Sequence, residues 1–219
     1  MMISIDGACK RNGTPECAAV GVAWVVTEAG DMFYVSQFEN TGSTSQRGEL
    51  FGLLQALTQA HAADPDEDII IITDSEYLYN TVTKDWLHSW QRSNWWGGGG
   101  PVKNKDLWEQ ICYELDRLNA NGERVFMQWT KGHIIHYTPS LIKQAMVADS
   151  KGIELWMRIN SVASRPADKP RIIADFNRKR KEHGHHAPPD GVAFEWACMN
   201  CMADALASFL STLLDNIAI

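Results

Sequence analysis

With 219 residues, 45% of them hydrophobic and 21% charged, the chain carries enough apolar material for a full buried core and reads as an ordinary globular protein. No apolar run approaches the ~20 residues that span a bilayer, and the N-terminus lacks the charged-then-apolar order of a signal peptide, which argues against a membrane role. Five cysteines make an odd count without a dense framework, so the expectation is a cytoplasmic protein with reduced thiols.

The net charge of −7 is unevenly spread: residues 1–133 hold 10 Lys/Arg against 18 Asp/Glu, whereas residues 134–199 hold 10 against 7. A basic surface is the usual mark of a nucleic-acid partner. An acidic site that takes divalent cations reverses that local logic, so the total does not decide the matter.

In chain order, Met2–Asp6 reads as a short strand ending in a carboxylate. Ala18–Thr27 and Met32–Phe38 are β-rich runs joined by Glu28-Ala29-Gly30-Asp31, a good hairpin connection. Arg47–His61 carries Leu50, Phe51, Leu53, Leu54 and Leu57 at helical spacing, with Glu49 in its expected first turn. Asp68–Tyr79 (DIIIITDSEYLY) then places four isoleucines in a row, the pattern of a strand buried on both faces. That strand ends in Thr73-Asp74-Ser75-Glu76, at the carboxyl end where open α/β sheets bind ligands. On this stretch alone, Asp74 serves equally well as a helix cap.

A short helix to about Thr83 is followed by Trp86–Trp90, by Trp95-Trp96 and by four glycines. Asn104–Leu118 has Leu107, Trp108, Ile111, Leu115 and Leu118 on one face of a helix, and Arg124–Thr130 alternates as a strand. The order predicts an α/β fold with a mixed sheet: an antiparallel hairpin on one side and helix-fed parallel strands on the other. From Ile134 the pattern changes. A helical stretch opens at Thr138-Pro139, a loop-like Arg165–Gly191 carries the basic run Arg178-Lys179-Arg180-Lys181, and Met202–Ile217 is a clear amphipathic helix.

Asp6, Glu49, Asp74 and Asp204 thus all fall near the ends of elements. Four carboxylates converging at one sheet end would repel one another unless a multivalent cation neutralised them, and hard oxygen ligands of this number suit two Mg²⁺ or Mn²⁺ ions. Such a site suits attack of water on a phosphodiester.

Ser4-Ile5-Asp6-Gly7-Ala8-Cys9, Gln46-Arg47-Gly48-Glu49-Leu50 and Ile72-Thr73-Asp74-Ser75-Glu76-Tyr77 resemble the first three acidic motifs of type 1 ribonuclease H, in that family's order. Trp86–Trp90, Pro101–Trp108 and Trp129-Thr130-Lys131-Gly132-His133 resemble further stretches of it, and Asn200–Ala207 is similar to its fourth acidic motif. The resemblance covers residues 2–133 and about 198–215. It implies a five-stranded mixed sheet (three antiparallel strands, two parallel) with helices on both faces. The activity it implies is endonucleolytic hydrolysis of the RNA strand of RNA/DNA hybrids, leaving 5′-phosphate and 3′-hydroxyl ends.

Carried over by position, Asp6, Glu49, Asp74 and Asp204 are the expected metal carboxylates, with Asp6 shared between two Mg²⁺ ions (Mn²⁺ a substitute). His133 is the expected mobile histidine that assists leaving-group protonation or product release. Asn12, Ser45 and Gln46 match positions that read the minor groove and RNA 2′-hydroxyls. Thr44 and Asn104 match a pocket for a DNA-strand phosphate, Trp86 an aromatic packed on a DNA sugar, and Asn200 a further nucleic-acid contact. A monomer acting on the hybrid is expected, without a membrane partner.

Three departures from the family pattern stand out. Glu76 replaces a commonly neutral residue. Gln91–Gly100 holds one basic residue, Arg92, where bacterial members often carry a basic protrusion. A long insertion, residues 134–197, precedes the fourth motif, dividing the expected catalytic domain into 1–133 and 198–219. Within it, His183, His185 and His186 are alternative sources of the mobile histidine. Together with Cys198 and Cys201 they also have the residue types of a zinc site, though the spacing is irregular and solvated histidines are the simpler reading.

Overall fold

The computed structural model describes residues 1–17, 19–27, 30–37, 42–130, 132, 199–200, 203–204, 206–208 and 210–211. The chain runs through β1 (Met2–Cys9), β2 (Ala19–Thr27), β3 (Gly30–Gln37), α1 (Ser45–Ala60), β4 (Ile69–Thr73) and α2 (Glu76–Thr83). It continues through α3 (Trp86–Arg92), the two-residue strands β5 (Trp96–Gly97) and β6 (Gly100–Pro101), α4 (Lys105–Leu118) and β7 (Val125–Trp129). All the described residues from 199 onward are helical.

Five strands form one sheet in the order β3-β2-β1-β4-β7. β1, β2 and β3 pair antiparallel, while β4 lies parallel to β1 on one side and to β7 on the other. The isoleucine run is therefore the interior parallel strand that its lack of alternation predicts: Ile69, Ile71 and Ile72 are fully buried.

Side-chain alternation divides the two faces. Ile3 and Ile5 of β1 and Ala23 and Val25 of β2 join Leu50, Leu53 and Leu57 of α1 in the main core, with Trp108 and Ile111 of α4 behind them. Val20 and Val22 instead meet Ala207, with Leu206 and Leu210 against them, so the C-terminal helical residues cover the other face. Of the stripe expected on α4, Leu107, Trp108, Ile111 and Leu118 are buried and Leu115 is partly buried against the same core.

α1 sits unusually low on the sheet. Gly7 and Gly21 are directly paired across β1 and β2, and Gly48 and Gly52 lie above them on the helix. A β-carbon at Gly7 would collide with the backbone of Gly48 and Glu49, and one at Gly21 with the backbone of Gly52. Four missing side chains let the helix backbone approach that of the strands.

Three local expectations are corrected. Thr44 caps α1, its Oγ1 accepting from the Arg47 amide at 3.3 Å, so the helix starts at Ser45 and Glu49 lies beyond the first turn. Likewise, Met199 and Asn200 are already helical, ahead of the expected start of the last helix at Met202. Cys9 and Cys17, with Cα atoms 6.1 Å apart, are disulfide-bonded rather than reduced, because the β1–β2 hairpin brings its two ends together. Cys112 is free and buried; burial, with Asp116 and Glu109 nearby, pushes its thiol up to about 11. No helix among the described residues is long and apolar enough to cross a membrane.

Candidate active site

The parallel register carries β1 and β4 to the same sheet end. Ser4 is level with Ile72, and two residues further along each strand come Asp6 and Asp74. The close descent of α1 sets Glu49 directly over Gly7, beside Asp6. Asp6 is 8% exposed, and its carboxyl is held well above the ordinary aspartate range. The cause is foremost its burial, then the charges of Asp74, Asp204 and Glu49; the Gly7 amide, donating to Oδ1 at 2.7 Å, opposes them. Glu49 is raised as well, by burial and by Asp74, against a hydrogen bond from Ser75.

Ser75 resolves the choice left open for Asp74. It is Ser75, not Asp74, that caps α2: its Oγ accepts from the Leu78 amide at 3.3 Å and donates to Glu49 Oε2 at 2.5 Å. The Asp74 carboxylate is left to the site. Its own carbonyl accepts from Trp129 Nε1 at 3.0 Å, and Gly132 leaves room for its side chain, since a β-carbon there would strike Asp74 Oδ2. Gln46, Glu49, Asp74, Ser75, Glu76, Tyr77, Trp129 and Gly132 line one open cleft. Tyr77 accepts from Trp108 Nε1 at 2.8 Å; burial raises its phenol above the ordinary range.

Among the described residues, no three His, Cys, Asp or Glu side chains are gathered tightly enough to hold a metal ion as they stand. The donor chemistry nevertheless fits a hard divalent cation. Buried carboxylates that raise one another's proton affinity are short of positive charge, and oxygen-only ligands suit Mg²⁺.

The expected substrate contacts fall into two pairs. Asn12 and Ser45 meet: Asn12 Nδ2 donates to Ser45 Oγ at 3.3 Å, and the Ser45 amide to Asn12 Oδ1 at 3.1 Å. Thr44 and Asn104 are linked through Arg47, whose amide donates to Thr44 Oγ1 and whose Nη1 donates to Asn104 Oδ1 at 3.2 Å. Arg47 also grips Asp106 through two bonds of 3.0 and 2.7 Å, which hold the Asp106 carboxyl below its usual range. Asn104 sits in the left-handed region at φ 58°. Trp86 is 39% exposed, beside Trp90. Asn200 is 2% exposed, with Nδ2 lacking a hydrogen-bond partner among the described residues. His133, His183, His185, His186, Cys198, Cys201 and residues 134–197 lie outside the described residues.

Sequence reading passed over Arg47, Ser75, Trp129 and Gly132 as site residues, although each lies within one of the family-like motifs. Ser75 carried a usable signal, a hydroxyl one position before a helix. Arg47 did not, because its role depends on where α4 begins, 57 residues later.

The amino-acid sequence has relatives among known proteins. The RNase H family matches residues 1–145. The Ribonuclease H of Treponema pallidum is 38% identical over 141 residues, 58% of this chain and 77% of that protein. The Ribonuclease HI of Pasteurella multocida is 29% identical over 150 residues, 68% of this chain and 88% of that protein. Among solved structures, LC9-RNase H1, described as a type 1 RNase H with the type 2 active-site motif, is 21% identical. That similarity has a TM-score of 0.44 and covers 60% of this chain and 64% of that one.

Proposed function

The chain belongs to the RNase H family, and on that premise we propose that it is an endoribonuclease cutting the RNA strand of RNA/DNA hybrids with two divalent ions. The products are 5′-phosphate and 3′-hydroxyl ends. The observation that carries this reading is the meeting of Asp6, Asp74 and Glu49 at one end of the parallel strands, with Asp204 near enough for its charge to be felt at Asp6.

In this reading Asp6, Glu49, Asp74 and Asp204 hold Mg²⁺, with Mn²⁺ a substitute. Bound there, the ions supply Lewis-acid charge that activates water and stabilises the leaving oxygen. The chain's own groups do the remainder. Ser75 fixes the orientation of Glu49 by donating to Oε2. Asn12 and Ser45, already joined by two hydrogen bonds, offer polar groups to consecutive 2′-hydroxyls, with Gln46 at the edge of the cleft. Thr44 and Asn104 grip a DNA-strand phosphate, and Arg47 holds the two at a fixed separation. Trp86 packs on a DNA sugar, and Asn200, whose Nδ2 is buried without a partner among the described residues, offers a further hydrogen bond to the nucleic acid. His133 assists protonation of the leaving 3′-oxygen or release of the product. Residues 1–133 and 198–219 form the catalytic unit, and residues 134–197 are an insertion within it.

The test is cleavage of an end-labelled hybrid in Mg²⁺. The wild type should cut the RNA strand, leave duplex DNA intact and yield ends that ligate as 5′-phosphate and 3′-hydroxyl. Asp74→Asn should still bind the hybrid yet cut it several orders of magnitude more slowly. Undiminished cleavage by that variant would remove Asp74 from the site.

A further inference from the structure

Asp74 and Ser75 stand between two regular elements and belong to neither: β4 ends at Thr73 and α2 begins at Glu76. Neither a strand ladder nor a helix fixes the peptide that joins them. Yet both side chains beside that peptide serve the site, Asp74 directly and Ser75 through its bond to Glu49 Oε2. A peptide is a rigid plane, so whatever holds this one positions both at once.

The plane is pinned at its two polar ends. The Ser75 amide donates to Thr73 Oγ1 at 3.1 Å, and the Asp74 carbonyl accepts from Trp129 Nε1 at 3.0 Å. The second bond is a side-chain rung set beside the backbone ones. Thr73 is level with Trp129 in the parallel register, and its carbonyl accepts from the Thr130 amide at 2.9 Å. One residue further along β4, the indole reaches across in place of an amide. Trp129 and Asp74 line the same open cleft, where water could satisfy that carbonyl. What the indole adds is therefore a fixed direction rather than a missing partner.

Gly132 bears on the Asp74 side chain alone. A β-carbon there would stand 2.1 Å from Oδ2 and 2.9 Å from Cγ, both of Asp74. Its backbone is outside the left-handed region that favours glycine, so conformation does not account for the missing side chain. The room taken by the carboxylate does.

We propose that Trp129 and Gly132 are positioning residues for the metal carboxylates. The indole fixes the Asp74–Ser75 peptide and, through it, both Asp74 and Glu49, whereas Gly132 fixes the Asp74 carboxylate only. The inference rests on the metal-dependent nuclease reading and adds to it two residues that act through the ligands. Loss of a group that orients a metal ligand from behind costs roughly ten- to a hundredfold in metal affinity or activity.

The experiment uses the full chain carrying Trp129→Phe, which keeps the ring and loses the N–H, or Gly132→Ala, each alone and combined with Ser75→Ala. Mn²⁺ binding is measured by isothermal titration calorimetry, hybrid affinity by fluorescence anisotropy in chelator, and folding by thermal denaturation. Trp129→Phe should weaken Mn²⁺ binding about tenfold and leave hybrid affinity in chelator unchanged. In the Ser75→Ala background, where the path to Glu49 is already cut, the same change should cost only about threefold. Gly132→Ala should also cost about tenfold, but equally in both backgrounds, since its methyl meets Asp74 alone. Unchanged Mn²⁺ affinity in Trp129→Phe, or a cost that is the same with and without the Ser75 hydroxyl, overturns the inference. A loss of hybrid affinity in chelator would make Trp129 a substrate contact and overturns it as well. Wild-type Mn²⁺ affinity in Gly132→Ala overturns the part assigned to Gly132. A wild type that binds Mn²⁺ and hybrid without cutting overturns the catalytic reading instead, and the calorimetric comparison still decides the role of Trp129.

Discussion

Asp6 shows what an acidic cluster costs a fold. Its carboxyl is buried among three other acids, and the Gly7 amide offsets only part of the repulsion. Without divalent ions the folded chain therefore binds protons at Asp6 and Glu49 more readily than the unfolded chain does. Stability then falls as pH rises from the ordinary carboxylate range through the raised values, since the native state must give up protons that the unfolded state has already lost. In a chelating buffer Asp6→Asn should raise Tm by a few degrees near neutral pH, with a smaller gain at pH 5. Added Mg²⁺ should stabilise the wild type and leave the variant nearly unmoved. Thermal denaturation with and without chelator measures both effects; an Asp6→Asn chain less stable than wild type in chelator would refute the repulsion argument. The carboxylates stood out in the sequence because each lies in a short motif, although Asp6 falls inside β1 and Glu49 beyond the first turn of α1 rather than at element ends. Ser75 and Arg47 were harder to see, since their value lies in a partner that only the fold supplies: Glu49 for one, Asn104 and Asp106 for the other.

Among the elements, α1 sets the site by its height above the sheet. Gly7 and Gly21 beneath and Gly48 and Gly52 above remove the side chains that would hold the helix away. Gly7→Ala should cost about 1–3 kcal/mol or more, because the new methyl meets backbone that cannot rotate aside. It should also lower kcat, since the helix can yield only by lifting Glu49 from Asp6. Urea midpoints and single-turnover rates separate the two consequences, and a stable variant of full activity would show the close approach to be dispensable. Elements with a strong pattern are legible from the amino acids alone: the unbroken isoleucine strand and the periodic apolar stripe of α4 appear where expected. The β5–β6 ribbon is not. Two-residue strands built from Trp, Gly and Pro carry no alternation to read, and the left-handed turn at Asn94-Trp95 has no glycine to announce it.

For the whole molecule, the distribution of charge poses a problem that the fold does not remove. Residues 1–133 hold 10 basic against 18 acidic side chains, and a hybrid brings a dense row of phosphates. The surplus of positive charge is in residues 134–199, around Arg178-Lys179-Arg180-Lys181, outside the described residues. On the proposal that this run supplies the counter-charge for the substrate, replacing all four by Gln should flatten the log–log salt dependence of hybrid affinity by roughly 0.9 for each phosphate that is no longer neutralised. KM should rise while kcat holds. An unchanged slope would assign the run to some other task.

The coupling of Asp6 to Asp204 also has a consequence for the order of events during synthesis. The two acids stand 198 positions apart, so at the usual pace of a ribosome the second follows the first by roughly 10–40 s. The pairing of β1 with β4 needs only the first 73 residues, and β7 completes the sheet by residue 129. A nascent chain thus has all five strands available well before its last carboxylate emerges. On the proposed assignment of Asp204 to the metal site, polypeptides released early would carry the sheet without the full acidic set, and a chain truncated before residue 199 should fail to cut a labelled hybrid.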